Sequence, residues 1–124
     1  MKVIQSAKAP AAVGPYSQGV DCGEFIFFSG QIPLVPETGL LAGDTIEQQA
    51  RQMFQNIAAV LQEAGLNFSN VVKTTVFLTD LSNFAVLNGI YAEYFSEPYP
   101  ARSCVEVSAL PKAALVECEI IAKR

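Results

Sequence analysis

Toward the C-terminal end of the chain, one arginine and several carboxylates recur at strand spacing. "ARSCVEVS" carries Arg102, Cys104 and Glu106, and "LVECEIIA" carries Glu117, Cys118 and Glu119. An arginine fork can grip a carboxylate through two parallel hydrogen bonds. A glutamate beside it, partly withdrawn from water, can accept a proton or orient a water molecule. Together they could hold a carboxylate-bearing ligand and direct water at it in a small polar pocket at a subunit interface. The same residues also suit plain cross-strand ion pairs on a sheet surface. Composition and spacing leave both readings open.

The remaining chemistry is narrow. The chain has no histidine, which removes the commonest general base and the commonest metal ligand. Proton transfer would fall to carboxylates, tyrosine, backbone or water. The three cysteines, Cys22, Cys104 and Cys118, are dispersed and odd in number, with no CxxC or Cys/His metal spacing. Such a set fits a reducing compartment, where buried cysteines act as small hydrophobes, and Cys22 and Cys118 are expected to be inert. Net charge is −4 and the eight Lys and Arg are scattered, so no basic stripe exists for a phosphate backbone. Nucleic acid and an anionic membrane surface are poor first expectations. No apolar run suits a signal peptide or a membrane span, so a cytoplasmic location is expected.

These residues need elements to position them. At 124 residues and 51% hydrophobic, the chain suits a single domain, residues 1–124, with apolar surface left over for subunit contacts. "QGVDCGEFIFFSG" reads as a hairpin turning at Cys22-Gly23. "IPLVPETGLLAGD" is a loop. "TIEQQARQMFQNIAAVLQEAG" is the clearest helix, with Thr45 and Gln48 forming a capping box and Gly65 ending it. "VVKTTVFLTDL" is a β-branched strand. A second helix spans roughly residues 83–96, stopped by Pro98 and Pro100. Two strands close the chain, 102–108 and 115–122. The order predicts an α+β fold, a mixed sheet with two helices on one face. The other sheet face would be bare in a monomer, and another subunit is the simplest cover.

Alternation sorts the last two strands. Paired as a hairpin, these strands have their register parity fixed by matching the apolar faces of Val105/Val107 and Val116/Ile120. Arg102, Cys104, Glu117 and Glu119 would then emerge together, on the sheet face away from the helices.

The ordered motifs resemble a known family. "GPYSQ" (14–18), "SGQIP" (29–33), "VVKTTVFLTDL" (71–81), the helix with Phe84, Asn88 and Tyr91, "PARSCVEV" (100–107) and "LPK…VE.E" (110–119) run in the order of the reactive intermediate/imine deaminase A (RidA) family, also called the YjgF/YER057c/UK114 family. The resemblance implies a chorismate-mutase-like fold, related to the ferredoxin-like one, assembled as a barrel-like homotrimer with clefts between subunits. It implies hydrolysis of 2-aminoacrylate and 2-iminobutanoate, released by pyridoxal-phosphate dehydratases, to 2-oxo acids and ammonia, with no cofactor or metal. It assigns Arg102 to the substrate carboxylate and Glu117 to the attacking water. Cys104, Tyr16, Ser29, Gly30 and Asn88 would line the cleft. Each also has a plain structural reading: Tyr16 as a loop anchor, Ser29-Gly30 as a strand end needing small residues, Asn88 as a loop brace. Relatives described as translation inhibitors or endoribonucleases keep an RNA-directed activity as an alternative. A chaperone-like or regulatory ligand-binding trimer is another.

Overall fold

The computed structural model describes residues 1–124. Six strands form one sheet: β1 (Lys2–Ile4), β2 (Gly19–Asp21), β3 (Phe25–Gln31), β4 (Val71–Leu78), β5 (Ala101–Glu106) and β6 (Val116–Lys123). Their order across the sheet is β1-β2-β3-β6-β4-β5. Two helices, α1 (Ile46–Glu63) and α2 (Phe84–Tyr94), complete a mixed α+β fold. No helix is long and apolar enough to cross a membrane.

The β2–β3 hairpin turns as the sequence predicts, with Gly23 at φ 101°, a conformation that suits glycine. Helix α1 starts at the expected capping box: Thr45 accepts from the Gln48 backbone N–H, and the Gln48 side chain caps Thr45 in return. Such caps contribute about 1 kcal/mol. Its buried stripe is Ala50, Met53, Phe54, Ile57, Val60 and Leu61. Strand β1 was not expected. It is short, half polar and lies at the sheet edge, so its sequence carries almost no periodicity.

Alternate strand residues complete the core: Ile26 and Phe28 from β3, Val76 and Leu78 from β4, and Val116, Cys118, Ile120 and Ala122 from β6. These positions define the helix-facing side. The opposite side carries Phe27, Phe77, Glu117, Glu119 and Ile121, all partly exposed, and is uncovered in one chain as expected.

The hairpin expected from the last two strands is not there. Strand β5 pairs with β4 alone, in parallel, and β6 lies antiparallel on the other side of β4. A parallel neighbour needs a crossover element, which α2 supplies. Val76 therefore faces Cys104 on one side and Cys118 on the other. Arg102 and Cys104 share the helix-facing side with Thr74 and Val76, while Glu117 and Glu119 lie level with Phe77 and Thr75 on the bare side. The expectation that all four emerge together is corrected: Arg102 and Cys104 point one way, Glu117 and Glu119 the other. The apolar match of Val105 to Val116 misled because β5 is an edge strand, and Val105 stays 42% exposed. Its hydrophobicity does not report the core.

Candidate functional site

Strand β5 carries Arg102 to the sheet edge, where α2 passes over it. Phe84, Asn88 and Tyr91 lie at i, i+4 and i+7 on α2, one stripe of a helix. All three meet the arginine. The guanidinium carbon sits 4.7 Å from the Tyr91 ring centroid and 5.3 Å from that of Phe84. Nη1 donates to Asn88 Oδ1 at 2.7 Å. No carboxylate pairs with Arg102: the ion pairs are Arg51 with Glu47 and Glu93, Lys123 with Glu24, and Arg124 with Asp21. Arg102 is thus an exposed cation stacked on aromatic faces, open to an anion. Tyr99 and Pro100 line the same cavity, of about 410 Å³. Cys104 is half-buried and packs against the core, and burial pushes its thiol upward, away from thiolate reactivity.

Glu117 occupies a second cavity, about 510 Å³, on the other side of the sheet. Tyr16, Ser29, Gly30, Ile32 and Lys112 share its lining. The carboxylate is half-buried and has no hydrogen-bond or ion-pair partner within the chain. Burial, and then the neighbouring Glu119 charge, raise its pKa above the ordinary glutamate value. Gly30 creates its space: a Cβ there would stand 2.0 Å from Glu117 Oε2. The Ser29 hydroxyl is spent on the loop, donating to the Ser17 carbonyl at 2.6 Å, and the Ser29 N–H bonds the Gln18 carbonyl. Ser29 therefore fixes the loop that sets Tyr16 at the rim.

Two buried amides of α1 tie down loops beside the cavity, and Asn56 reaches two residues of its wall, Ile32 and Leu34. Asn56 donates to the carbonyls of Ile32 and Leu34, and Gln49 bonds the Gly43 carbonyl and the Leu115 N–H. The helix periodicity did not point to them, since both are polar positions in an apolar stripe. No buried side-chain N or O is left without a partner. Lys112 and Ala113 both adopt positive φ, 60° and 59°, in the turn that forms one wall. Non-glycine residues are strained there, by about 1–3 kcal/mol each. Lys112 and the Tyr91–Phe84 platform are the neighbours that residue-by-residue reading missed. The helical spacing of Phe84, Asn88 and Tyr91 was the available signal for the platform.

The structure thus brings Arg102, Cys104 and Asn88 together on one side, and Tyr16, Ser29, Gly30 and Glu117 on the other. Residues 6–124 match the family model described as Endoribonuclease L-PSP. A 2-iminobutanoate/2-iminopropanoate deaminase of Salmonella typhimurium is 50% identical over 126 residues, covering 99% of this chain and 98% of that protein. The chain belongs to the RidA/YjgF family. Other members carry other names. A RutC family protein of Synechocystis is 54% identical, over 98% of this chain and 95% of its own. Escherichia coli TdcF, crystallised with bound serine, superposes with a TM-score of 0.94 at 46% identity, over 100% of this chain and 99% of that one. The chorismate-mutase-like arrangement expected of the family is the fold seen here, a mixed sheet with two helices. The family's imine deaminases and its endoribonuclease description both attach to this one scaffold.

Proposed function

We propose that this protein is a 2-imino acid deaminase whose site is shared between subunits. The observation that carries the reading is that two charges lining cavities lack ion-pair partners in the chain: Arg102 has no carboxylate and Glu117 no cation. They lie on opposite sides of one sheet, so a single chain cannot apply both to one small molecule. An assembly that sets the Arg102 edge of one subunit against the bare, partly apolar face of the next would bring them together. The expected homotrimer is such an assembly, with each cleft using Arg102, Asn88 and Cys104 from one subunit and Glu117, Tyr16 and Gly30 from its neighbour. The serine bound to TdcF supports a small carboxylate-bearing ligand.

The chemistry follows from these groups. The substrate carboxylate seats on Arg102, and the Asn88 amide N–H is free to join it. The imine carbon is already electrophilic. Glu117, as a carboxylate, accepts a proton from water as the water oxygen bonds that carbon. Glu117 returns that proton to the nitrogen, giving the neutral carbinolamine; it then accepts the carbinolamine hydroxyl proton and passes it to the nitrogen, the C–N bond breaks, and ammonia leaves as the carbonyl forms. The raised pKa of Glu117 makes its carboxylate a better proton acceptor than an ordinary glutamate. Most of the acceleration is positional, because the imine also hydrolyses unaided. An RNA-directed activity finds less support: Arg51, Lys123 and Arg124 are tied up with carboxylates, and no basic track forms.

The direct test adds the purified protein to a threonine dehydratase reaction and follows imine decay. Faster loss of the imine, with stoichiometric 2-oxobutanoate and ammonia, is the expected result. Decay at the unaided rate would overturn the reading.

A further inference from the structure

Arg102 stands on an edge strand with an exposed side chain, a setting in which a long cation would sample many rotamers. Here it is held, and the holding has a foundation. Of its neighbours on α2, Tyr91 alone is buried, at 5% exposure. Its ring stacks on Phe95, with centroids 4.3 Å apart, and takes the edge of Phe54 at 5.9 Å. Its hydroxyl shares a 2.9 Å hydrogen bond with Thr74 Oγ1. Thr74 is fully buried and lies directly opposite Arg102 in the parallel β4–β5 register. Tyr91 therefore spans from helix to sheet beneath the guanidinium, clamped at both ends.

A purely structural role does not require this bond. Replacing both partners of a buried hydrogen bond by apolar groups of the same shape is close to neutral for stability. What the two hydroxyls do add is a fixed ring angle. With Nη1 engaged by Asn88, Nε and Nη2 have no hydrogen-bond partner in the chain, and a fixed ring holds them ready for a two-pronged carboxylate grip.

We infer that Tyr91, pinned by Thr74, is the positioning residue that holds the Arg102 guanidinium ready for a carboxylate. The inference rests on the reading of Arg102 as a carboxylate receptor, and its test separates the two. Tyr91→Phe, Thr74→Val and Thr74→Ser are prepared in the full chain. Nitrogen-15 spectra of the Arg102 side chain report guanidinium rotation, and titration with 2-oxobutanoate reports binding. Slowed rotation is expected in the wild type and Thr74→Ser, and faster rotation in Tyr91→Phe and Thr74→Val. The latter two should bind 2-oxobutanoate about threefold to tenfold more weakly, raising KM with kcat retained. Unchanged rotation and binding in both, whatever happens to the melting temperature, would overturn the inference and reduce the hydroxyl pair to core packing. Altered rotation in a protein that binds no 2-oxobutanoate at all would uphold the positioning and discard the carboxylate reading instead.

Discussion

The two charges of the proposed site, Arg102 and Glu117, are housed in opposite ways. Arg102 is exposed, at the edge of the sheet, with its guanidinium against the faces of Tyr91 and Phe84. Glu117 is on a central strand, half-buried, beside a like charge and with nothing to donate to it. The first environment stacks a cation on aromatic faces while leaving part of its hydrogen-bonding edge open. The second penalises the anion, so that a proton can come and go. A receptor benefits from the first treatment and an acid–base group from the second. The contrast assigns roles that charge alone would not, since an arginine and a glutamate two strands apart read most simply as a salt bridge.

Removing the receptor should have the largest effect. Arg102→Ala is expected to lower kcat/KM about 10³-fold, within the range for losing one side of a charge-assisted pair. Glu117→Gln should cost about 10²-fold in kcat, with weaker effects on 2-oxobutanoate binding. Its pH–rate profile should also lose the acid limb expected of the wild type, which the raised Glu117 pKa moves upward from that of an ordinary glutamate. Equal losses in turnover and binding would make Glu117 a binding residue and dissolve the contrast. The two inactive variants then test each other. Mixed by co-refolding in equal amounts, they should recover about a quarter of wild-type activity if each cleft in a ring draws one charge from each of two subunits. No recovery would put both charges in the service of a single chain.

Much of this was legible beforehand. The capping box at Thr45, the hairpin at Gly23 and the stripe of α1 follow from local rules that tertiary context did not override. Arg102 and Glu117 were identifiable as residues because their types limit what they can do. Their opposite facing was not. It depends on β4 inserting between β5 and β6, a non-local pairing that adjacent strands in sequence gave no reason to expect. The hydrophobic pattern of β5 even argued the other way, because an edge strand on an assembling protein can put an apolar residue such as Val105 on its outer side. Gln49 and Asn56 escaped for a related reason: their value lies in loops far away in sequence.

A smaller effect is expected where the Glu117 environment is altered without touching the carboxyl. Gly30→Ala would place a Cβ 2.0 Å from Oε2, so the carboxylate must move by about an ångström or more to reach ordinary contact distance. Catalysis by positioning is sensitive on that scale, and a loss of about tenfold in kcat is expected, with binding at Arg102 little changed. A parallel loss of carboxylate binding would mean that the two halves are not separately tunable.

The smallest effect runs in the opposite direction. A glutamate whose folded pKa is raised stabilises the fold only while protonated. That contribution is complete below the unfolded value, about 4.3, and is lost as pH rises through the folded one. Glu117→Gln removes the group that ionises at a penalty, so at pH 7 the variant should be more stable than the wild type. The gain should stay below about 1 kcal/mol, because the side chain is partly solvated. At about pH 3.5, where the carboxyl is protonated folded or unfolded, the two proteins should unfold at the same denaturant concentration. Chemical denaturation at both pH values decides it. A variant less stable at pH 7 would show that the carboxylate has a stabilising partner in the assembled protein, and Glu117 would then resemble Arg102 after all: a charge held in place rather than one kept ready to change.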